Sequence, residues 1–533
     1  MPVGTYQTVE VLGYSAQADG GGGVFWWNAT DTTPDNGSTV IAPTAGGTGR
    51  WNLLNDYLPA GAGAVPTDVP AKLREVYSIY DKMSPAQKAD AQAGTMLVDC
   101  STAFSVINDA HLYYVPDGTY RFDSVAQWTT TGPSFVGETR RGAILKAKSG
   151  LTEPQNKGLL TWISVNGVSV ENLTIDGNGW STSVYADSLI RFELSNHLRV
   201  LHCDLTNNPN MGISGYGISD FEFSHNYIHL ATARNVDNDG IAVVKHSNGT
   251  LSGNGEVVGN ELANTGSLFN ATDIKVNFNR IYNWKFGSGI TTGIWPESGN
   301  VELIGNQIWG GTGVDSNALV STGVELYGDN PRASLNLIYN CDGPGMIVGG
   351  RNGMIANNTI LNCGLDPGAT HFSGLLADYV DANVNANGTV FIGNTSSGSS
   401  QAYGISSTGV APYASNCYLI DNNFNGNMTA SENILGAGWK VTSPRLYGSV
   451  AWNPGLIATG AISVQTVAVT GARLGDYVEA SIDKDLQNCT INGYVSASDA
   501  VAAVITNLSG AGKTIASGTL RVSVMKRVGY APY

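Results

Sequence analysis

One short pattern recurs through the middle of this 533-residue chain and narrows the folds open to it. Asn followed two residues later by an apolar side chain occurs at Asn226, Asn260, Asn279, Asn306, Asn336, Asn358 and Asn422, and Cys203-Asp204-Leu205 fits the same slot. Alternating with it, Gly followed by an apolar residue recurs at Gly212, Gly240, Gly293, Gly323, Gly345, Gly374 and Gly404. The interval is 13 residues from Gly293 to Asn306, from Gly323 to Asn336 and from Gly345 to Asn358, whereas Asn to the next Gly varies from 9 to 17. One arc of each repeat is therefore fixed in length and the other accepts insertions. Such periods, built from short strands and Asn or Gly turns, are those of a β-solenoid. Neither the Leu spacing of a leucine-rich repeat nor helical periodicity is present.

In a β-solenoid each strand pairs in parallel with its equivalent one rung along, about 4.8 Å away, and alternate side chains face in and out. The Asn column reads as a structural ladder of buried amides at a bend. Cys341 and Cys363 lie five residues after Asn336 and Asn358, so they stack on successive rungs as buried thiols, with a disulfide possible but not required.

Composition agrees with many short strands: Gly contributes 67 residues and charged residues only 13%. The net charge of −15 argues against nucleic acid or an anionic membrane surface as partner. No apolar run approaches the roughly 20 residues of a membrane span, and the N-terminus lacks the basic and apolar regions of a signal peptide, so a soluble chain outside that export route is expected. The six cysteines stand singly with no C-x-x-C, which gives no support to a zinc or redox site; no metal and no cofactor are expected.

Residues 1–57 are dense in Gly and Trp. Asp35-Asn36-Gly37 marks a turn between β-prone runs, so a small β module is expected, with Phe25, Trp26, Trp27 and Trp51 as its apolar side chains. Residues 58–95 read as a helical connector. Leu73, Val76, Tyr77 and Tyr80 predict one apolar helical stripe, and Ser84-Pro85 predicts the capped start of a second helix running to about Ala93. At residue 96 a new unit begins. Asp99 or Ser101 can cap a helix carrying Phe104 and Ile107, and YYVPDGTYRF reads as strand, turn, strand. After about Gly436, residues 437–533 alternate apolar and polar over short strands with Gly turns, a β-sandwich pattern.

Two resemblances attach to these segments. The capping helix, the VPDGTY strands and SFVGETRRGAIL resemble the start of pectate-lyase-like right-handed parallel β-helix proteins. The two ends, YSAQADGGGGVFWWN with GGTGRW and the segment beginning WNPGLIATGAISVQ, resemble tailspike proteins of bacteriophages that degrade capsular polysaccharide, notably those infecting Acinetobacter. Together they imply an all-β protein: a right-handed parallel β-helix over 96–436, with a small N-terminal β/helical region and a C-terminal β-sandwich for trimerisation or glycan binding. They further imply a homotrimer, attachment to phage tail or baseplate proteins, location in the virion, and action on a bacterial capsular polysaccharide.

Glycoside hydrolysis needs a proton donor and a second carboxylate, about 5–5.5 Å apart for retention and about 6.5–9.5 Å apart for inversion. Aligned on the Gly motif, Glu325 stands two after Gly323, and Glu297 four after Gly293 on the preceding rung. Both occupy outward columns, and the lattice separates their Cβ atoms by roughly 8 Å. Trp295 and Tyr327 interleave with them as a sugar-stacking floor. Pro296 threatens this arrangement, because a proline that ends the strand releases Glu297 into the turn. Asp329 and Asp378 are substitutes for either acid. The turn Asp237-Asn238-Asp239 is a further acidic candidate. An alternative chemistry is β-elimination by a lyase, for which Lys245-His246 and Tyr216 offer the base and cation. A non-catalytic glycan-binding adhesin fits the same pattern.

Overall fold

The computed structural model describes residues 8–11, 23–35, 40–44, 46–53, 56–57, 67–68, 76–151, 157–180, 188–207, 210–229, 239–284, 292–297, 299–313, 321–364, 373–378, 385–407, 414–434, 438–442 and 446–525. Two compact units divide at Tyr77/Ser78.

The first unit holds a four-stranded antiparallel sheet in the order Thr8–Val11, Gly23–Asn28, Arg50–Leu53, Val40–Ile41. Phe25 and Trp51 are buried, and the Trp27 ring packs on Trp51 at 5.2 Å. Trp26 points the other way and is exposed, as strand alternation requires. Asn36 and Gly37 of the expected turn lie outside the described residues.

Of the helical stripe expected through Leu73, Val76, Tyr77 and Tyr80, Leu73 lies outside the described residues and the other three do not share one helix. Val76–Ser78 is a strand, and a 3-10 turn follows over Ile79–Lys82. Ser78 and Asp81 make a reciprocal capping box around that turn, so the chain starts afresh at Ser78. The second helix is present at Pro85–Ala93, with Ser84 and Gln87 as its capping box and Gly94 left-handed at its end. A short helix at Ser101–Ser105 buries Phe104, with Ile107 buried just beyond it.

The coil then winds as a right-handed parallel β-helix of three sheets. Sheet I runs as seven strands, from Ala126–Thr129 to Trp295–Pro296, and continues as five, from Val324–Leu326 to Ala430–Asn433, joined by a bridge between Ile294 and Val324. Sheet II has fourteen strands and sheet III eleven. Leu112–Val115 and Gly118–Phe122 enter sheets II and III respectively, so the VPDG segment turns a corner between sheets and closes no hairpin.

Both sequence motifs have a physical cause here. Each Asn side chain bonds the next: Asn306 Nδ2 donates to Asn336 Oδ1 at 2.9 Å and to the Val276 carbonyl at 2.7 Å, while Asn306 Oδ1 accepts from the Asn279 amide at 2.9 Å. The ladder runs from Asn226 to Asn422, and the Cys203 amide opens it by donating to Asn226 Oδ1. Every buried polar group in it is paired, which is what a buried amide requires. At the Gly column the next rung's carbonyl leaves no room: a Cβ on Gly293 would lie 2.5 Å from the Gly323 oxygen, and one on Gly323 would lie 2.4 Å from that of Gly345. All six cysteines are free and buried.

Residues 446–525 form a sandwich. One sheet orders Leu446–Trp452, Gly518–Met525 and Tyr477–Ile482; the other orders Ile462–Ala468, Ala500–Thr506 and Thr490–Ala497. Trp452, Val467, Val501, Ile505, Leu520 and Val522 fill the space between them.

Candidate active site

The outward face of sheet I gathers most of the candidate acids. Val324 and Leu326 face the core, so Glu325 between them faces out, in register with Ile347 and Leu376 on the next rungs. Outward does not mean solvated, because Glu325 is only 8% exposed. Thr292 Oγ1 donates to its Oε1 at 2.9 Å. Burial pushes the Glu325 carboxyl up to about 7; the Thr292 and Thr322 hydroxyls, which favour the ionised form, offset part of this, and the carboxylates of Asp378 and then Glu297 add to it.

The neighbouring outward column is traced by backbone bonds. The amide of Glu297 donates to Phe269 O at 2.9 Å, Tyr327 to Pro296 O at 3.1 Å, Gly349 to Leu326 O at 2.8 Å and Asp378 to Val348 O at 2.8 Å. Pro296 therefore does not release Glu297. Its ring is buried opposite Phe269 and its carbonyl still accepts, so the strand carries through and Glu297 keeps its column. Glu297 is exposed, and Asn270 Nδ2 donates to its Oε2 at 2.6 Å.

Asp378 is buried at the end of Ser373–Ala377, and the Tyr327 hydroxyl donates to its Oδ2 at 3.4 Å. Two rungs and two residues separate Asp378 from Glu325, roughly 12 Å on the backbone lattice, against roughly 8 Å for Glu297. Asp378 nonetheless acts more strongly on Glu325 than Glu297 does. Burial explains the order: water screens the exposed Glu297 and not Asp378. Tyr327 is half-buried, and its hydroxyl is committed to Asp378. Trp295 is half-buried in the column of Glu325, one rung before it.

Asp329 turns away from this group. Arg351 Nε donates to its Oδ1 at 3.0 Å and the Arg351 amide to the same oxygen at 3.2 Å, holding the Asp329 carboxyl below its usual range.

The remaining candidates make a second cluster on sheet I. Asp239 is buried at the start of Asp239–Val244, three rungs before Glu325. The Arg191 guanidinium lies 4.0 Å over the Tyr216 ring and pairs with Glu193 at 2.6 Å, while His246 Nε2 is 4.0 Å from Glu193. Burial pushes the Tyr216 phenol up. Lys245 is exposed, and Asp237 lies outside the described residues.

Sequence reasoning passed over Thr292, Thr322, Arg191 and Glu193. The threonines had a signal: both stand immediately before the repeated glycines, as Thr292-Gly293 and Thr322-Gly323, on successive rungs. Arg191 and Glu193 precede the aligned Gly motifs and had none. No group of three or more His, Cys, Asp or Glu suited to a metal occurs among the described residues.

Residues 1–56 match the family described as the phage tail protein small four-stranded beta-sheet domain, in keeping with the four-stranded sheet found there. No curated protein sequence matches the chain. Similar solved structures include the Dettilon tailspike protein, 13% identical, covering 86% of this chain and 95% of that one with a TM-score of 0.47. A double mutant of the tailspike protein of E. coli bacteriophage HK620, in complex with a pentasaccharide, is 11% identical, covering 89% and 97% with a TM-score of 0.48.

Proposed function

We propose that this chain is a phage tailspike whose sheet I hydrolyses a bacterial capsular polysaccharide, with Glu325 as proton donor and Asp378 as the second carboxylate. The observation that carries the reading is the environment of Glu325. A carboxyl that is buried, held by threonine hydroxyls and faced by a second buried acid stays protonated near neutrality, which is the state a general acid needs. Asp378, fixed by the Tyr327 hydroxyl, takes the proton of the attacking water.

The donor protonates the glycosidic oxygen as the bond to the anomeric carbon breaks, and water attacks from the opposite face. The backbone offset of roughly 12 Å is far beyond a retaining pair's roughly 5–5.5 Å, and the two side chains reach the roughly 6.5–9.5 Å of an inverting pair, with room for that water, by leaning toward one another. Glu297, exposed and one rung away, serves at the rim, with Trp295 beside it for the apolar face of a sugar ring. The phage tail domain match at residues 1–56 supports location in the virion and attachment to other tail or baseplate proteins. Assembly as a homotrimer belongs to the same reading.

The lyase alternative draws on Lys245, His246 and Tyr216, and the structure adds the Arg191 guanidinium, a cation against the Tyr216 phenol. Two features count against it: Arg191 is engaged by Glu193, and the raised Tyr216 phenol makes a poor base at neutral pH. Digestion of purified capsule separates the readings. A hydrolase releases reducing ends with no ultraviolet absorbance from an unsaturated uronate, whereas appearance of that absorbance would overturn hydrolysis. Glu325→Gln is expected to abolish release. Full activity in that variant sinks the site, and no release by the unaltered protein leaves the adhesin.

A further inference from the structure

Away from the Glu325 site, sheet II carries a groove of about 610 Å³ spanning the strands Asn166–Glu171, Asn196–Leu201, Ser219–Ser224, Ser252–Val258 and Ala271–Asn277. Its concavity is built into the backbone. Each rung has one left-handed residue at the same place, with φ of 54° at His197, 52° at Asp220, 55° at Asn254 and 56° at Asp273, which bends the start of the strand away from the rest. The opposite wall is a single outward column in register: Arg199, Glu222, Glu256, Lys275. Its charges run plus, minus, minus, plus.

Each end pair is closed, Arg199 to Glu222 at 3.1 Å and Lys275 to Glu256 at 2.7 Å, and His197 Nε2 meets Asp220 at 2.9 Å across the first wall. The two central glutamates sit opposite one another on adjacent rungs, and their repulsion is offset by the cation beside each and by the Ser224 hydroxyl, which donates to Glu222 Oε1 at 3.1 Å. Ion pairing fixes these side chains yet leaves acceptor lone pairs on the carboxylates and donor hydrogens on the cations. All four wall charges are accessible to solvent.

We propose that this groove is a non-catalytic binding site for an uncharged, hydroxyl-rich oligosaccharide segment of the polymer cleaved at sheet I. The choice of occupant rests on the glycan reading of the Glu325 site; the chemistry rests on the groove. Glu222 already accepts from Ser224 and Arg199, and Glu256 from Lys275; sugar hydroxyls donate to the remaining carboxylate lone pairs and accept from the remaining N–H groups of Arg199 and Lys275. The lining sets two cations, Arg199 and Lys275, against four carboxylates, Asp220, Glu222, Glu256 and Asp273, an acidic excess that disfavours a polyanion. The groove's volume falls in the usual range for a ligand site of roughly 300–1,000 Å³. It lies on a different sheet and on earlier rungs than Glu325, so one chain can hold the polymer at two points and raise its effective concentration at the catalytic face.

The test uses the full chain carrying Glu325→Gln, titrated calorimetrically with mild-acid oligosaccharides of the host strain's capsular polysaccharide. Two equivalents per chain are expected, falling to one when Glu222→Ala and Glu256→Ala are added, with no change in assembly size by gel filtration. An unchanged stoichiometry overturns the proposal. So does a shift in assembly size, which would make this face a contact between copies of the chain. Two equivalents bound, with no reducing ends released by the unaltered protein, would instead remove the hydrolase reading and leave the groove standing.

Discussion

Tyr327 reaches past the missing side chain of Gly349 to donate its phenolic hydrogen to Asp378 Oδ2 at 3.4 Å. In a parallel column each residue normally meets the one on the next rung, and Gly349 occupies that rung between them. The glycine opens a gap of one rung that only a side chain as long as tyrosine spans. The contact orients the buried carboxylate that, in the proposed reading, works with Glu325. Tyr327→Phe is therefore expected to lower kcat about tenfold with KM nearly unchanged, a loss of about 1.4 kcal/mol in the transition state alone. Reducing-end assays on purified capsule check it, and an equal rise in KM would point to substrate contact instead.

The Thr292 hydroxyl donates to Glu325 and so favours its ionised form. Removing that donor pushes the carboxyl further up. Because Glu325 must be protonated to act as acid, activity then persists to higher pH. Thr292→Val is expected to move the alkaline limb of the pH–rate profile upward from its position near pH 7, and Thr292→Val with Thr322→Val to move it further. A downward shift of that limb would show that Glu325 works as a base.

Much of this architecture was legible because its causes are local and repeated. The outward register of Glu325 followed from Gly323, whose place is fixed by the Gly345 carbonyl against it. Two rungs escaped the pattern. Asn394 belongs to the ladder and accepts from the Asn358 amide, but Ser396 follows it where an apolar residue was sought. Gly266 opens a sheet I strand, but Ser267 comes next. In both places the backbone geometry kept the polar or conformational residue while the core accepted a serine. The burial of Glu325 and the partnership of Tyr327 with Asp378 were not legible, since each joins residues on different rungs whose spacing depends on loops of unequal length. Pro296 misled because a proline is read as a lost amide, whereas this strand also uses its carbonyl.

The Asn ladder sets the stability of the coil. Asn306→Ala would strand the Val276 carbonyl and the Asn279 amide in a dry interior, while Asn336 Oδ1 keeps the backbone amide of residue 306 and Asn279 Nδ2 keeps the Val257 carbonyl. A cost of at least about 2 kcal/mol is expected, since each buried unsatisfied group costs roughly 1–3 kcal/mol. Thermal unfolding compared with Asn300→Ala, an exposed turn residue, checks it; equal midpoints would show that water replaces the amide.

Glu325 links activity to stability with opposite signs. Its carboxyl is raised to about 7 in the folded chain, above the range of an exposed Glu, so the folded state binds the proton more tightly than the unfolded one. The stability tied to that proton is fully present below about pH 4.5 and is lost as pH rises through about 7, by roughly 3 kcal/mol at most. Glu325→Gln keeps the shape and hydrogen-bonding capacity of the protonated side chain and cannot ionise. It is therefore expected to abolish hydrolysis, to match the unaltered protein in melting temperature at pH 4.5, and to exceed it at pH 8. A variant that is inactive but gains nothing at pH 8 would show that Glu325 is solvated in the ionised form, and its assignment as the proton donor would fall with that result.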